Sequence, residues 1–210
     1  MTLPAMAKRL FDLLGAALAL LLLSPLLLAI ALWIKLDSRG PVLFRQQRVG
    51  RYGRAFAIHK FRTMVADAPE RGPQITVGND PRITAAGAFL RRSKLDELPQ
   101  LVDVLAGHMS LVGPRPEVPA YVAHYPVELR DKVLAVRPGI TDPVSLELAD
   151  ENELLALAAD PEREYIEVLL PRKLRAAAAY AEHATLATDL RVIGRSLRVL
   201  WARAFATGTS

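Results

Sequence analysis

The chain has 210 residues, of which 51% are hydrophobic, and a formal net charge of +5 at pH 7. This length suffices for one compact domain with an anchoring element but is marginal for two full domains. Because the chain contains no cysteine, disulfide bonds, thiolate metal sites and cysteine nucleophiles are excluded. The positive charge indicates an anionic partner, and composition leaves nucleic acid, an anionic lipid surface and a phosphorylated substrate all open.

An uncharged apolar run extends from Leu13 to Ile34 and is long enough to cross a bilayer as a helix. Ser24-Pro25 stands near its middle and predicts a kink, because proline cannot donate the usual helical hydrogen bond. Basic residues flank the run on both sides: Lys8, Arg9, Lys35 and Arg39. The positive-inside tendency therefore draws both of its ends toward the cytoplasm.

Three interpretations of this run follow from the residues alone. A re-entrant helix that breaks at Ser24-Pro25 and returns to the same face satisfies both basic flanks. A spanning helix stays equally open, because proline also occurs in ordinary membrane helices. A cleaved signal peptide is the weakest interpretation. The run continues past the small-residue sequence Ala29-Ile30-Ala31, and the segment that follows is strongly basic, which opposes export.

Hydrophobic patterning in the remainder predicts an α+β, mainly helical fold. Two short strands, Val42–Arg48 and Ala55–Phe61, form a hairpin around a glycine-bearing turn. Further predicted elements are a loop at 67–81, helices at 84–93 and 97–106, a strand at 109–112, and helices at 118–123, 127–135, 161–184 and 186–204. The last helix is amphipathic, and its leucine face either packs on the core or lies in the membrane interface.

Two adjacent carboxylates, Asp96 and Glu97, directly follow a segment with three cations. Asp96 is expected to be the N-cap of helix 97–106, where the backbone amides and the helix dipole keep its carboxylate ionised. An ionised aspartate is a nucleophile toward phosphorus and an oxygen ligand for Mg²⁺, and the cations can neutralise a diphosphate. Read alone, acidic residues in a first turn are more often ordinary helix capping.

Eight segments occur in a fixed order along the chain: Lys8–Asp12, Ser24-Pro25, Gly40–Gln46, Lys60–Met64, Asp80–Thr84, Arg91–Gln100, Ser110–Pro116 and Arg137–Thr141. Each is weakly specific by itself, but the ordered set is highly specific. Together they resemble the monotopic phosphoglycosyl transferases, also called bacterial sugar transferases, up to about Asp150. Many members follow the last segment with Gly-Trp-Ala-Gln, whereas this chain reads Asp142-Pro143-Val144-Ser145, which leaves the sugar pocket undefined.

The resemblance implies that residues 1–36 form a re-entrant, helix-break-helix anchor in the inner leaflet of the bacterial inner membrane. Residues 37–210 would form a cytosolic catalytic domain with C-terminal amphipathic helices, and a homodimer is compatible with this arrangement. The implied enzyme moves a phosphosugar from a UDP-sugar to polyprenyl (undecaprenyl) phosphate and releases UMP, by way of a covalent intermediate on Asp96.

The resemblance also implies roles for individual side chains. Mg²⁺ would bind at Asp96 and Glu97, and Glu97 would assist through the metal or by accepting a proton. Planar guanidinium groups suit phosphate contacts. The basic residues expected to bind the substrate are Arg91, Arg115, Lys60, Arg62, Arg82 and Arg137.

Two other functions compete with this one. A non-enzymatic membrane adaptor would use the basic hairpin and the terminal helix only to hold anionic lipid. A nucleic-acid binder is suggested by the net charge alone, and the apolar anchor disfavours it.

Overall fold

The computed structural model of the chain describes residues 3–72, 76, 80–143 and 151–206. The helices are α1 (Leu3–Asp37), α2 (Ala68–Arg71), α3 (Ala85–Ser93), α4 (Gln100–Leu105), α5 (Pro119–Val122), α6 (Val127–Leu134), α7 (Glu151–Leu157), α8 (Pro161–Glu164), α9 (Leu170–His183) and α10 (Leu186–Ala206). The strands are β1 (Leu43–Val49), β2 (Ala55–Phe61), β3 (Ser110–Val112) and β4 (Gly139–Thr141). The mainly helical class predicted from the sequence is confirmed.

β1 and β2 form an antiparallel hairpin in which Leu43 lies opposite Phe61 and Val49 opposite Ala55. The bounds predicted for β2 agree with the structure, and β1 lies one residue later than predicted. β3 pairs in parallel with β4, a strand that the sequence did not reveal because it has three residues and follows a Pro-Gly turn. Gly139 lies so close to Gly113 that a Cβ atom would not fit.

α1 continues through Ser24-Pro25 as one helix, so the helix-break-helix form that the resemblance implied is not confirmed. The reason lies in the hydroxyl of Ser24, which donates a hydrogen bond of 2.8 Å to the carbonyl of Leu21. This is the carbonyl that Pro25 cannot satisfy, because proline has no N–H group. Among the described residues, α1 is the single helix long and apolar enough to cross a membrane.

The N-terminal part of α1 is tied to the globular domain by charged side chains. Lys8 forms a salt bridge of 2.6 Å with Asp189 of α10, and Arg9 donates a hydrogen bond of 2.9 Å to the carbonyl of Val104 in α4. The buried carboxylate of Asp12 accepts a hydrogen bond from the backbone N–H of Leu111 in β3. The start of α1 is therefore held by three elements of the domain.

The C-terminal part of α1 packs on the same domain through apolar contacts. Ile30 and Ile34 are buried in a cluster with Phe61 of β2 and Leu90 of α3. The remaining face of α1 stays open and carries large apolar side chains, namely Met6, Leu10, Leu14, Leu18, Leu21, Leu22, Leu28, Leu32 and Leu36. Both ends of the apolar helix thus contact one domain, while a continuous leucine-rich face is left uncovered.

The C-terminal helices form a second core around α6 and α9, with the aromatic rings of Tyr121 and Tyr165 in contact. A π-helical turn at Tyr165–Leu169 joins α8 to α9, so helical structure runs from Pro161 to His183 and ends one residue before the predicted range 161–184. On α10 the buried side chains include Asp189 and Ser196, and the exposed ones include the following leucines: Leu186, Leu190 and Leu197. These three described leucines therefore do not pack on the core, which was one of the two placements that the sequence left open.

Candidate active site

The backbone between α3 and α4 places Asp96 and Glu97 against the β-hairpin, where Lys60 of β2 contacts Glu97. Lys94 adopts a left-handed conformation with φ of 58°, which is uncommon for a residue with a side chain. It ends α3 and begins a 3-10 turn, Leu95–Glu97, that precedes α4. Asp96 therefore lies inside this turn, and the expectation that it caps α4 is wrong, because the cap positions are Lys94 and Pro99.

Glu97 joins two cations from different parts of the chain. Its Oε1 atom accepts hydrogen bonds of 2.7 Å from Lys60 Nζ on β2 and of 2.7 Å from Arg115 Nη2 after β3. Burial alone would raise the pKa of Glu97, but the charges of Arg115 and Lys60 and the hydrogen bond from Arg115 hold it well below its usual value. Glu97 is thus favoured in its ionised form, in which it binds two cations.

Asp96 has a different environment from its neighbour. It is 8% exposed, and its Oδ1 atom is buried without a hydrogen-bond partner in the described part of the chain. Burial raises the pKa of this carboxyl, and the negative charge of Glu97 raises it further. The sequence predicted an ionised Asp96, which stays a prediction; burial and the neighbouring Glu97, neither of which the helix-dipole argument included, act against ionisation.

The electrostatic field around Asp96 is suited to a polyanion. Lys60, Lys94 and Arg115 oppose the effects of burial and of Glu97 and lower the pKa of Asp96. Arg91, at the end of α3, also interacts with it and donates a hydrogen bond of 3.0 Å to Thr76. An unpartnered carboxylate oxygen among four cations can attack an anionic phosphoryl group that these cations hold in place.

The remaining basic residues predicted to bind substrate have partners elsewhere in the protein. Arg62 is buried and donates to the carbonyl of Ser38 at 2.7 Å and to that of Arg39, at the C-terminal end of α1. Arg82 forms a salt bridge of 2.6 Å with Asp80. Arg137 donates a hydrogen bond of 2.9 Å to the carbonyl of Gly107, which follows α4. The structure groups Lys60, Arg91 and Arg115 with the two carboxylates and gives these three arginines structural partners.

A further charged cluster lies behind Arg115 and was not found from the sequence. Glu117 accepts a hydrogen bond of 2.5 Å from the hydroxyl of Tyr165, and its other carboxylate oxygen lies 3.6 Å from Arg48. Arg48 also donates a hydrogen bond of 2.9 Å to the carbonyl of Pro116. Arg48 of β1 and Tyr165 of the C-terminal helices thereby hold the backbone just after Arg115. These residues are far from Glu117 along the sequence, so local patterns could not predict their contacts with it.

Asp96 and Glu97 do not form an all-protein Mg²⁺ site, but they are compatible with a site in which substrate phosphates supply further ligands. Among the described residues no cluster of three or more His, Cys, Asp or Glu side chains could hold a metal ion. Mg²⁺ is, however, commonly held by one or two carboxylates together with substrate phosphates. The unpartnered Oδ1 of Asp96 fits that mode, whereas Glu97 already binds Lys60 and Arg115.

Known proteins resemble about half to two thirds of the chain. The exopolysaccharide production protein PSS of Rhizobium leguminosarum bv. phaseoli is 57% identical over 109 residues, which are 51% of this chain and 54% of that protein. The UDP-glucose:undecaprenyl-phosphate glucose-1-phosphate transferase of Escherichia coli (strain K12) is 47% identical over 136 residues, covering 64% and 29% of the two chains.

A third relative carries a different sugar in its name. The UDP-N-acetylgalactosamine-undecaprenyl-phosphate N-acetylgalactosaminephosphotransferase of Aeromonas hydrophila is 45% identical over 139 residues, covering 65% of this chain and 33% of that protein. The chain spans about half or less of the length of these three relatives. The model of the family described as bacterial sugar transferase matches residues 3–203, so the chain belongs to the bacterial sugar transferase family.

Proposed function

We propose that the chain transfers a sugar-1-phosphate from a UDP-sugar to undecaprenyl phosphate and releases UMP. The observation that carries this proposal is the buried Asp96 carboxylate, which keeps one oxygen without a partner among Lys60, Lys94, Arg91 and Arg115. The names of two relatives contain a sugar nucleotide and undecaprenyl phosphate. These names differ in the sugar, so the proposal extends to UDP-sugars as a class.

In the first step a carboxylate oxygen of Asp96 attacks the β-phosphorus of the UDP-sugar. The bond between that phosphorus and the oxygen bridging to the α-phosphate breaks, and UMP leaves with the electron pair. The product is a phosphosugar linked to Asp96 as an acyl phosphate. No proton transfer is needed, provided that Asp96 is ionised and UMP leaves as an anion.

In the second step an oxygen of undecaprenyl phosphate attacks the same phosphorus. The bond to Asp96 breaks, the carboxylate is regenerated, and undecaprenyl-diphosphate-sugar is released. Splitting the transfer in this way lets a water-soluble donor and a lipid acceptor use one site in turn. The kinetic consequence is a ping-pong pattern, with UMP formed before the lipid substrate binds.

The cations act by position and charge. Glu97 holds Lys60 and Arg115 through hydrogen bonds of 2.7 Å, so both donors are preorganised before the substrate arrives, which is how most of the rate in phosphoryl transfer is obtained. Arg115 also presents a planar fork that suits phosphate. Mg²⁺ would be held by one oxygen of the Asp96 carboxylate and by phosphate oxygens of the substrate, not by Glu97, and would supply neutralisation of the diphosphate charge while the other Asp96 oxygen attacks.

The proposed location is the cytoplasmic face of the bacterial inner membrane, with α1 as a monotopic anchor. A straight helix of this length reaches about 50 Å, so a spanning α1 would separate its ends by the whole bilayer. Yet Arg9 and Ile34 both contact the same domain. These contacts support entry of α1 into one leaflet only, and the exposed leucines of α10 support a second contact with the lipid interface.

Single cysteines test this placement, because the chain has none of its own. Ala5→Cys and Arg39→Cys lie at opposite ends of α1 and outside its leucine-rich face, and both positions are exposed. A membrane-impermeant maleimide should label both in inside-out vesicles and neither in intact spheroplasts. Val127→Cys on α6 is the control for the cytosolic domain. Labelling of one end of α1 from each side would show a spanning helix instead.

The pH dependence of the first step follows from Asp96. Only the ionised carboxylate attacks phosphorus, and burial together with Glu97 raises its pKa. The value of kcat/KM for UMP release should therefore fall on the acid side at a pH above the ordinary value for aspartate, about 3.9. Glu97→Gln removes one cause of the increase and should move this limb to lower pH. An unmoved limb would assign the titration to another group.

UMP release from a panel of UDP-sugars, with protein in nanodiscs and Mg²⁺, tests the proposed function directly. One or more UDP-sugars should yield UMP, and undecaprenyl phosphate should sustain turnover. A membrane adaptor, the competing function, predicts no UMP from any of them. The same panel identifies the sugar, which the divergent segment from Asp142 onward leaves undefined.

A further inference from the structure

Three arginines from distant parts of the chain meet just beyond the C-terminal end of α4. Arg137 donates a hydrogen bond of 2.9 Å from Nε to the carbonyl of Gly107. Arg9 donates to a carbonyl of α4 at 2.9 Å, and its Nη2 atom lies 3.5 Å from where a Cβ atom of Gly107 would stand. Arg51, in the turn of the β-hairpin, donates at 2.7 Å to the carbonyl of Ala135, which precedes Arg137 by two residues. These three side chains are called the arginine cluster below.

Neighbouring acids do not balance the charge of the arginine cluster. Within the described ranges of the chain, none of its members forms a salt bridge. Burial lowers the pKa of Arg137, and the charges of Arg9 and Arg51 lower it further. The charge of Asp12 opposes this effect, but its carboxylate already accepts hydrogen bonds from Lys8 and from a backbone N–H of β3. An anion bound among the three guanidinium groups would relieve their repulsion.

Helix capping explains only part of these side chains. Cations near the end of a helix commonly bind its last carbonyls, as Arg9 and Arg137 do here. A guanidinium group, however, has five N–H donors in a planar fork. Arg137 uses Nε for Gly107, and its two Nη groups donate to no acceptor among the residues that the structure describes. Such a pair of adjacent donors fits two oxygens of a phosphate group.

The arginine cluster lies beside uncovered apolar and aromatic side chains. Leu10, the next residue after Arg9 on α1, and Leu105 of α4 are both exposed, and Arg9 lies 3.4 Å from the carbonyl of Leu105. The exposed ring of Tyr52 lies 4.4 Å from the Cζ atom of Arg51. Leucine, tyrosine and arginine side by side are typical of the headgroup level of a membrane, where apolar groups face the acyl chains and cations face phosphate.

We propose that Arg9, Arg51 and Arg137 form a binding site for the phosphate group of an anionic membrane lipid. The inference goes beyond the transfer reaction and rests on the proposed placement of α1 in one leaflet. The leucine-rich face of α1 would contact the acyl chains of the lipid, which a soluble phosphate lacks. The site shares no residue with the cations around Asp96. Anionic phospholipids and undecaprenyl phosphate both carry the required group.

The test is the binding of lipid to the purified protein in a nonionic detergent, measured by native mass spectrometry. The wild type should bind added phosphatidylglycerol in clear preference to phosphatidylcholine, which has no net charge. Arg137→Gln should weaken phosphatidylglycerol binding about tenfold or more, the usual effect of losing a charge-assisted hydrogen bond. Arg51→Gln, in a surface turn, should weaken it as well without disturbing α4. Arg175→Gln, at an exposed position on α9, is the matched control and should bind as the wild type does.

Acceptor kinetics distinguish the two kinds of lipid. An unchanged KM for undecaprenyl phosphate in Arg51→Gln would assign the site to phospholipid, and an increased KM would assign it to the acceptor. Equal binding of phosphatidylglycerol and phosphatidylcholine by the wild type would overturn the proposal, and so would wild-type binding in both Arg137→Gln and Arg51→Gln. Lipid binding needs no UDP-sugar, so a protein that bound the lipid but released no UMP would contradict only the proposed function.

Discussion

Asp96→Asn is expected to reduce UMP release by about 10⁴-fold or more while leaving the protein folded. The size of the effect follows from loss of the attacking atom, since removal of a covalent nucleophile leaves only the contribution of binding and charge. Asparagine has nearly the same shape but no ionised oxygen. The measurement is the rate of UMP release in nanodiscs. Asp131→Asn, at an exposed position on α6, controls for the chemical change alone.

The melting temperature of Asp96→Asn should increase or stay unchanged. Because the pKa of Asp96 is raised in the folded protein, its ionised form is less favourable there than in the unfolded chain, and this destabilises the fold above that pKa. A neutral asparagine removes the penalty. Loss of activity accompanied by a clear fall in melting temperature would mean that the substitution had disturbed the fold and had not simply removed a nucleophile.

Glu97→Gln is expected to have the second-largest effect on the rate of UMP release. Unlike Asp96→Asn, it should lower the melting temperature of the protein. In the wild-type protein the Glu97 carboxylate binds both Lys60 and Arg115. The substitution removes this negative charge and leaves two neighbouring cations without an anion between them. Breaking a buried ion pair in this way costs about 3 kcal/mol or more. UMP release should fall about 100-fold because the phosphate-binding donors lose their positions. Thermal melting and kinetics of the same sample measure both.

A double substitution separates the two consequences. Adding Arg115→Met to Glu97→Gln removes one of the stranded cations and should recover part of the lost stability, as is usual for a broken pair. Activity should not recover, because Arg115 is itself expected to hold phosphate. Recovery of activity in the double variant would mean that Arg115 acts only as a partner of Glu97.

Hydrophobic patterning was enough to predict the β-hairpin and most of the helices. The order of motifs singled out the two carboxylates, whose role stays a prediction, but it did not sort the basic residues by their partners. Arg62 and Arg115 both stand in motifs for which the resemblance implies substrate binding, yet Arg62 donates to carbonyls at the end of α1, whereas Arg115 binds Glu97. The difference depends on which acceptor lies within reach after folding, and local sequence does not contain that information.

Local patterns also misjudged the backbone at Asp96. The residues after Lys94 were interpreted as the start of one helix, but the left-handed conformation of Lys94 inserts a separate 3-10 turn. Asp96 is buried in the folded chain, and this burial, which local sequence does not reveal, raises the pKa of its carboxyl. Likewise, the salt bridge between Lys8 and Asp189 joins the two ends of the chain, and only the assembled fold reveals it.

The most direct test of the covalent route is the mass of the peptide that contains Asp96. After incubation with a UDP-sugar that supports UMP release and Mg²⁺, without lipid acceptor, this peptide should gain the mass of one phosphosugar. Later addition of undecaprenyl phosphate should remove it. An unmodified peptide under conditions of rapid UMP release, or the same added mass in Asp96→Asn, would contradict attack by Asp96.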